Sequence, residues 1–217
     1  MTSALAFHLS PSQVAQRVGD ALRVGKCPPE REFDRFLPAE LRTVSTTYWS
    51  RLCVALRAAQ WIRELGIKSV VDVGSGPGKF CVVAGLATEA RFLGVEQRER
   101  LVRSARDLAE TFGVSDRVRF IRGTFGEMPL PVAEAYYFFN PFGENVFGPE
   151  DRLDHDVELG NSRYLRDVAS AEQLLGDLPS DTYLITYNGF GGEVPKAFRD
   201  VRVDRELPSV LRMWRKA

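Results

Sequence analysis

Residues Ser69 to Val83 read SVVDVGSGPGKFCVV: an apolar run, an acid, three alternating glycines and a second apolar run. Val70 to Val73 is rich in β-branched residues and bounded by glycine, which predicts a short buried strand. Lys79 to Ala87 sets Phe80, Val83, Ala84 and Ala87 along one stripe, which predicts a helix. Gly74, Gly76 and Gly78 fall in the turn between them. A strand, a glycine turn and a helix in this order bring a ligand against bare backbone at a helix N-terminus.

Two familiar turns fail on spacing. A phosphate-cradling G-x-x-x-x-G-K-[ST] loop needs a hydroxyl residue after its lysine, and Phe80 follows Lys79. A dinucleotide turn needs G-x-G-x-x-G, and the third position is again Lys79. What stands here is D-x-G-x-G-x-G, from Asp72 to Gly78. It resembles the first motif of the class I S-adenosylmethionine-dependent methyltransferases. The resemblance implies that Gly74, Ser75, Gly76 and Gly78 wrap the methionine half of S-adenosylmethionine. It implies also that Asp72 holds the amino group of that ligand, directly or through water. Phe92 to Val95 forms a second apolar strand ended by Glu96, 22 positions beyond Gly74. A carboxylate there can accept both ribose hydroxyls of an adenosine ligand. The segment GVEQ resembles the second motif of the same family, which adds Glu96 and Gln97 to the expected cofactor contacts.

The chain of 217 residues carries 29 Lys plus Arg against 29 Asp plus Glu, so no global charge calls for nucleic acid or a membrane surface. Cys27, Cys53 and Cys81 are odd in number and widely spaced, which suits neither a zinc site nor a disulfide framework. The start, MTSALAFHLSPSQ, has no basic residue ahead of its apolar ones and does not read as a secretory signal. No run approaches the roughly 18 apolar residues of a membrane span. A cytoplasmic protein is expected. The pair of acids around His155 in DHD lacks further ligand candidates, and no metal is expected.

Outward from the glycine turn, strand and helix alternate. Val70–Val73, a helix from Lys79, Phe92–Val95, a helix from Gln97 and Val118–Ile121 lead to strands in AYYFFN and TYLITY, with a helix over 164–178 between these two. Alternation of this kind makes a mostly parallel sheet with helices on both faces. The C-terminal FRDVRVDRELPSVLRMWRK reads as two strands about Leu207-Pro208, an antiparallel hairpin. The expected architecture is a Rossmann-like α/β fold of seven strands with a reversed last strand. Upstream, a helix over 12–24 and a stronger one over 46–65 are expected. Residues 1–45 then form a helical extension or lid, and 46–217 the cofactor-binding domain.

The remaining site residues come from topology and from the resemblance. Ligands bind outside the carboxyl ends of parallel strands. After the third strand, many relatives carry an Asp or Asn toward the adenine; here Thr124 stands at that place, with Phe125 or Met128 able to pack on the base. Ser45, Thr47, Tyr48 and Trp49 resemble the N-terminal segment that the family lays over the methionine end; helix capping with aromatic anchors is the alternative. After the fourth strand, Asn140-Pro141 resembles the N-P-P-[YF] motif of enzymes that methylate amides and adenine amines. There an amide oxygen and a backbone carbonyl accept the substrate N–H groups. The second proline is absent and the aromatic, Phe142, arrives one position early. A weaker likeness, over about Asp72 to Gly148, is to the histone-lysine methyltransferases that lack a SET domain. Asn140 and Tyr187 are the catalytic candidates, with Asn140 also near the cofactor.

Residues 127–160 hold eight acids against Arg152 alone, beside the expected substrate mouth. That charge favours an amine of a small molecule or protein over a polyphosphate. The expected function is N-methyl transfer from S-adenosylmethionine to such an amine. A nucleic-acid methyltransferase using the Asn140-Pro141 turn, and a cofactor-binding protein without catalysis, are the alternatives.

Overall fold

The computed structural model describes residues 9–217; the reading of the N-terminus as lacking a secretory signal falls partly on residues 1–8, outside them. Four helices come first: α1 (Pro11–Arg23), α2 (Glu30–Asp34), α3 (Ala39–Thr43) and α4 (Ser45–Tyr48). Then follow α5 (Leu52–Glu64), β1 (Ser69–Val73), α6 (Lys79–Ala87), β2 (Arg91–Glu96), α7 (Glu99–Thr111), β3 (Val118–Arg122) and β4 (Ala135–Phe139). Two short 3₁₀ turns lead into α8 (Asn161–Asp177), β5 (Tyr183–Tyr187), β6 (Phe198–Asp204) and β7 (Leu211–Lys216). The seven strands lie in the order β3-β2-β1-β4-β5-β7-β6. β1 to β5 are parallel to one another, and β7 inserts antiparallel between β5 and β6, as the expected hairpin requires.

Strand alternation divides the core in two. Val70, Phe92, Phe120, Tyr137, Ile185 and Met213 face α1, α5, α6 and α7, while Val71, Val73, Val95, Tyr136, Phe138 and Leu184 face α8. Side chains two apart on a strand share a face, so one register fixes both cores at once. Phe80 of α6 stacks on Tyr137 with ring centroids 3.6 Å apart, which seats the helix after the glycine turn directly on the sheet.

The helix expected over 46–65 is broken. α4 ends at Tyr48, Trp49 is extended, and α5 starts only at Leu52. Three tertiary contacts hold the break. The Leu52 amide donates to Glu30 Oε1 at 2.7 Å, the Ser50 hydroxyl meets the Tyr137 hydroxyl at 2.7 Å, and the Trp49 indole N–H reaches the Leu41 carbonyl at 3.3 Å. A continuous helix would leave the buried Tyr137 hydroxyl without that partner, and such a loss costs more than the few helical bonds given up. The N-terminal residues do not stand apart. Val14, Val18, Leu22, Phe33, Leu37 and Leu41 share one core with α5 and α6, and the expected boundary at 45/46 falls inside α4.

The link between that segment and the glycine turn is ionic. Lys79, 2% exposed, donates to Glu30 Oε2 at 2.6 Å, Asp34 Oδ1 at 2.7 Å and Ser45 Oγ at 3.0 Å. The lysine that stands where a dinucleotide turn needs its third glycine therefore docks α2 and α4 onto the start of α6.

Candidate active site

The carboxyl ends of β1, β2 and β4 open into a cavity of about 360 Å³. Of the expected site residues, Tyr48, Gly74, Glu96, Gln97, Phe125 and Asn140 line it. Asp72, Ser75, Gly76, Gly78, Thr124 and Tyr187 do not.

The glycine turn is built from inside. All three glycines take positive φ, +74°, +54° and +80°. A Cβ on Gly74 would come within 2.9 Å of Pro141, on Gly76 within 2.6 Å of the Trp49 ring, and on Gly78 within 2.5 Å of Phe120. Its amides also turn inward: Gly74 and Ser75 both donate to the Val95 carbonyl, Gly76 to Glu96, and Gly78 to Ser75. No amide of the turn up to Gly78 is left for an anion, which agrees with the exclusion of a phosphate cradle. The glycines are needed for φ and for close packing, with Trp49 lying on Gly76. Gly76→Val is accordingly expected to displace Trp49 along with any ligand. Urea denaturation should show a loss of more than about 1–3 kcal/mol, the usual cost of overpacking, with backbone strain added. Unchanged stability would show that Trp49 swings away freely.

Asp72 lies beneath the turn, buried at 3% exposure, where it accepts from the Cys81 thiol at 3.2 Å. Burial pushes its carboxyl up to about 7; the Cys81 hydrogen bond opposes this and the Glu96 charge adds to it. Asp72 stands outside the cavity lining. Glu96 is placed differently. Its Oε2 accepts from the Gly76 amide at 3.1 Å and its Oε1 from the Arg98 amide at 2.8 Å, while the carboxylate still lines the cavity. Burial raises its pKa, with the two amides and the Arg98 charge opposing. Each oxygen keeps one acceptor site in hand.

Asn140 ends β4 in a left-handed conformation, φ +39°. Its amide donates to the Gly189 carbonyl at 2.9 Å and its carbonyl accepts from Gly143 at 3.0 Å, so a tight turn returns the chain across the cavity mouth. The side chain lies against Gly143, where any Cβ would collide with it. Asn tolerates positive φ better than most residues, so the turn and the polar side chain share one physical cause. Tyr187 stands outside the cavity lining, 5% exposed and packed on Phe139 with centroids 4.9 Å apart, where burial and the nearby Cys53 push its phenol up.

The acidic character of residues 127–160 is corrected too. Arg98, 6% exposed, donates to Glu144 and Asp154, both at 2.9 Å, and Arg100 also grips Asp154. Arg163 holds Glu127 at 2.6 Å and Asp167 at 2.8 Å, and Arg166 holds Glu158 at 2.7 Å. Arg98 and Arg100, at the start of α7, thus supply two of the cations that neutralise the acidic segment. Glu99, the first residue of α7, pairs with Arg122 at the end of β3. Arg98, Glu144, Asn145, Arg163, Asp167 and Asn188 all line the cavity and escaped sequence reading. Only tertiary pairing separates them from ordinary surface charge. Among the described residues no cluster suits a metal ion, and no helix is long and apolar enough to cross a membrane.

The residues fit an adenosine ligand: Glu96 is a buried carboxylate with spare acceptor capacity, and Leu101 and Phe125 line the same cavity. Ser75 adds a buried hydroxyl with no partner in the turn above Asp72.

Residues 67–137 match a family model described as a methyltransferase domain. Over 64 residues the chain is 33% identical to the sterol 24-C-methyltransferase of Pneumocystis carinii (strain B80); the match covers 30% of this chain and 17% of that enzyme's length. An RNA methyltransferase from Salinibacter ruber, solved with S-adenosyl-L-homocysteine, superposes with a TM-score of 0.53 at 22% identity, over 76% of this chain and 89% of its own. The mitomycin 7-O-methyltransferase MmcR superposes at 0.56 and 16% identity, over 96% of this chain and 69% of its own. At such identities the likeness is one of fold, and these proteins differ in what their names say they methylate. Residues 67–137 thus match a methyltransferase domain, and the chain shares its fold with solved methyltransferases, one of them holding S-adenosyl-L-homocysteine.

Proposed function

We propose that this protein transfers the methyl group of S-adenosylmethionine to a nitrogen of a small molecule or protein side chain. The observation that carries the acceptor assignment is Asn140: a polar residue on a left-handed turn directly after β4, in the lining of the same cavity as Glu96, which ends β2 on the other side of β1. When bound, the cofactor supplies a methyl group already activated on a sulfonium. Glu96 accepts the ribose hydroxyls, and Leu101 and Phe125 enclose the base. The Asn140 amide oxygen accepts an N–H of the substrate and turns the nitrogen lone pair inward. Phe139, Phe142 and Trp49 exclude water from the cavity, which favours the neutral, nucleophilic amine over its ammonium form. The segment 39–49 acts as the lid, with Trp49 on the glycine turn and Tyr48 clasping the Asp151 carbonyl across the opening.

Two measurements test this. Calorimetry with S-adenosylmethionine and its demethylated product should give micromolar binding, common for a cofactor of this size. Glu96→Ala should weaken it by about 1–3 kcal/mol through lost charge-assisted hydrogen bonds. Equal affinity in the variant removes Glu96 from the cofactor site. Labelled methyl transfer onto a cell extract, followed by acid-stable recovery of label on nitrogen, tests the acceptor; label only on oxygen or on nucleic acid overturns that part. An oligonucleotide substrate would show itself further by a steep salt dependence.

A further inference from the structure

Tyr48 has a cavity on both sides. Beyond it lies a second space of about 510 Å³, between α3–α4 and residues 147–153. Thr47, Tyr48, Phe147 and Leu153 line both, so a single partition divides one from the other. The Tyr48 and Phe147 rings meet edge to face with centroids 6.2 Å apart, and the Tyr48 hydroxyl donates to the Asp151 carbonyl. Leu41 and Val44 continue the apolar wall away from the first cavity.

The charges at the rim of this second space are unlike those of the first. The ion pairs described above occupy Glu127, Glu144, Asp154 and Glu158. Glu40, Glu150 and Asp151, all exposed and all on the second cavity, have no ion pair among the described residues. Arg100, also on this wall, is committed to Asp154, and Arg152 turns its Nε to the Phe147 carbonyl. Three acids from two separate segments, without an ion pair among the described residues, thus line a space that shares its wall with the first cavity.

We infer that the second cavity is the distal subsite of the acceptor, taking the apolar body of a small molecule whose far end carries a protonated amine. This rests on the methyltransferase reading above. On binding, Tyr48 releases the Asp151 carbonyl and the partition opens; the body then lies against Leu41, Val44 and Leu153, with the reacting nitrogen at Asn140 and the remote cation among Glu40, Glu150 and Asp151. The two ends of one substrate then meet opposite conditions. The reacting end is dry and favours a neutral nitrogen; the distal end is wet and acidic and favours a charged one.

The test uses the full chain saturated with S-adenosylhomocysteine and titrated with dansylcadaverine, an aromatic body ending in a primary amine, by fluorescence. Its N-acetylated form is the neutral control. The amine should bind about 5- to 10-fold more tightly than the acetylated probe, and Glu150→Gln/Asp151→Asn should remove that difference while S-adenosylhomocysteine affinity stays constant, as suits exposed charge pairs. The difference should also shrink with salt. Equal binding of the two probes, a difference that survives the double variant, or displacement of the amine by the nucleoside product each overturns the subsite. If S-adenosylhomocysteine itself fails to bind the native chain, the methyltransferase reading falls. If it binds and the amine does not, only the subsite falls.

Discussion

Lys79→Met is expected to destabilise the protein by about 3 kcal/mol, lowering the thermal midpoint by roughly 6–12 °C for a chain of this size. Among the described residues the lysine is the sole cation paired with Glu30 and Asp34, and its removal leaves two carboxylates facing a largely buried space. The figure sits at the low end for a broken buried pair because Glu30 is 28% exposed and keeps some water. The consequence extends to the site. Glu30 also caps the Leu52 amide, and Ser45, the third Lys79 partner, begins α4. Loss of the lysine should therefore loosen the break that seats Trp49 on Gly76, and hydrogen exchange over 45–52 should rise with the fall in stability. Arg17→Gln, which breaks the exposed Arg17–Glu32 pair, is the control and should change stability by no more than about 0.5 kcal/mol. Urea denaturation of both variants decides the matter. Equal effects would show that the lysine cluster contributes no more than surface charge.

Asn140→Ala is expected to leave cofactor affinity nearly intact and to lower methyl transfer by about two orders of magnitude, the usual scale for a lost positioning contact. The residue has a second duty that the same experiment must separate. At φ +39° an alanine is strained, so stability should fall by about 1 kcal/mol whether or not the side chain meets substrate. Asn140→Gly relieves the strain and still lacks the amide. If the amide orients the nitrogen, both variants lose turnover per folded molecule while only the alanine variant loses stability. Turnover restored in the glycine variant would make Asn140 a turn residue alone.

Much of this was legible along the chain, and for a common reason. Local patterns report what a residue does with its neighbours in sequence. β-Branched runs, the glycine spacing and the acid 22 positions on defined β1, β2 and the turn between them, and the Leu207-Pro208 turn defined the hairpin that reverses β7. The break at Trp49 was not legible, because residues 46–65 satisfy helical periodicity throughout. What interrupts them is Glu30 and Tyr137, one upstream and one 87 positions beyond Ser50, and no local signal carries that.

The same division holds for the site. By itself the sequence determined the strand–turn–helix, the placement of Glu96 and Asn140 at strand ends, and the exclusion of a phosphate loop, since each depends on spacing within one βα unit. Only the tertiary structure decided that Asp72 is buried beneath the turn, that Tyr187 is packed away, and that Trp49 lies on Gly76. It decided also which acids of residues 127–160 are free. Charge summed along a segment counts every carboxylate alike, whereas an arginine from another element cancels one and leaves the next exposed. Arg98 reaches Glu144 across 46 residues, and among the described residues Glu150 and Asp151 have no such partner. The field that a substrate meets is set by that pairing, and pairing is a property of folded space, because Coulomb attraction depends on distance through space and not on position along the chain.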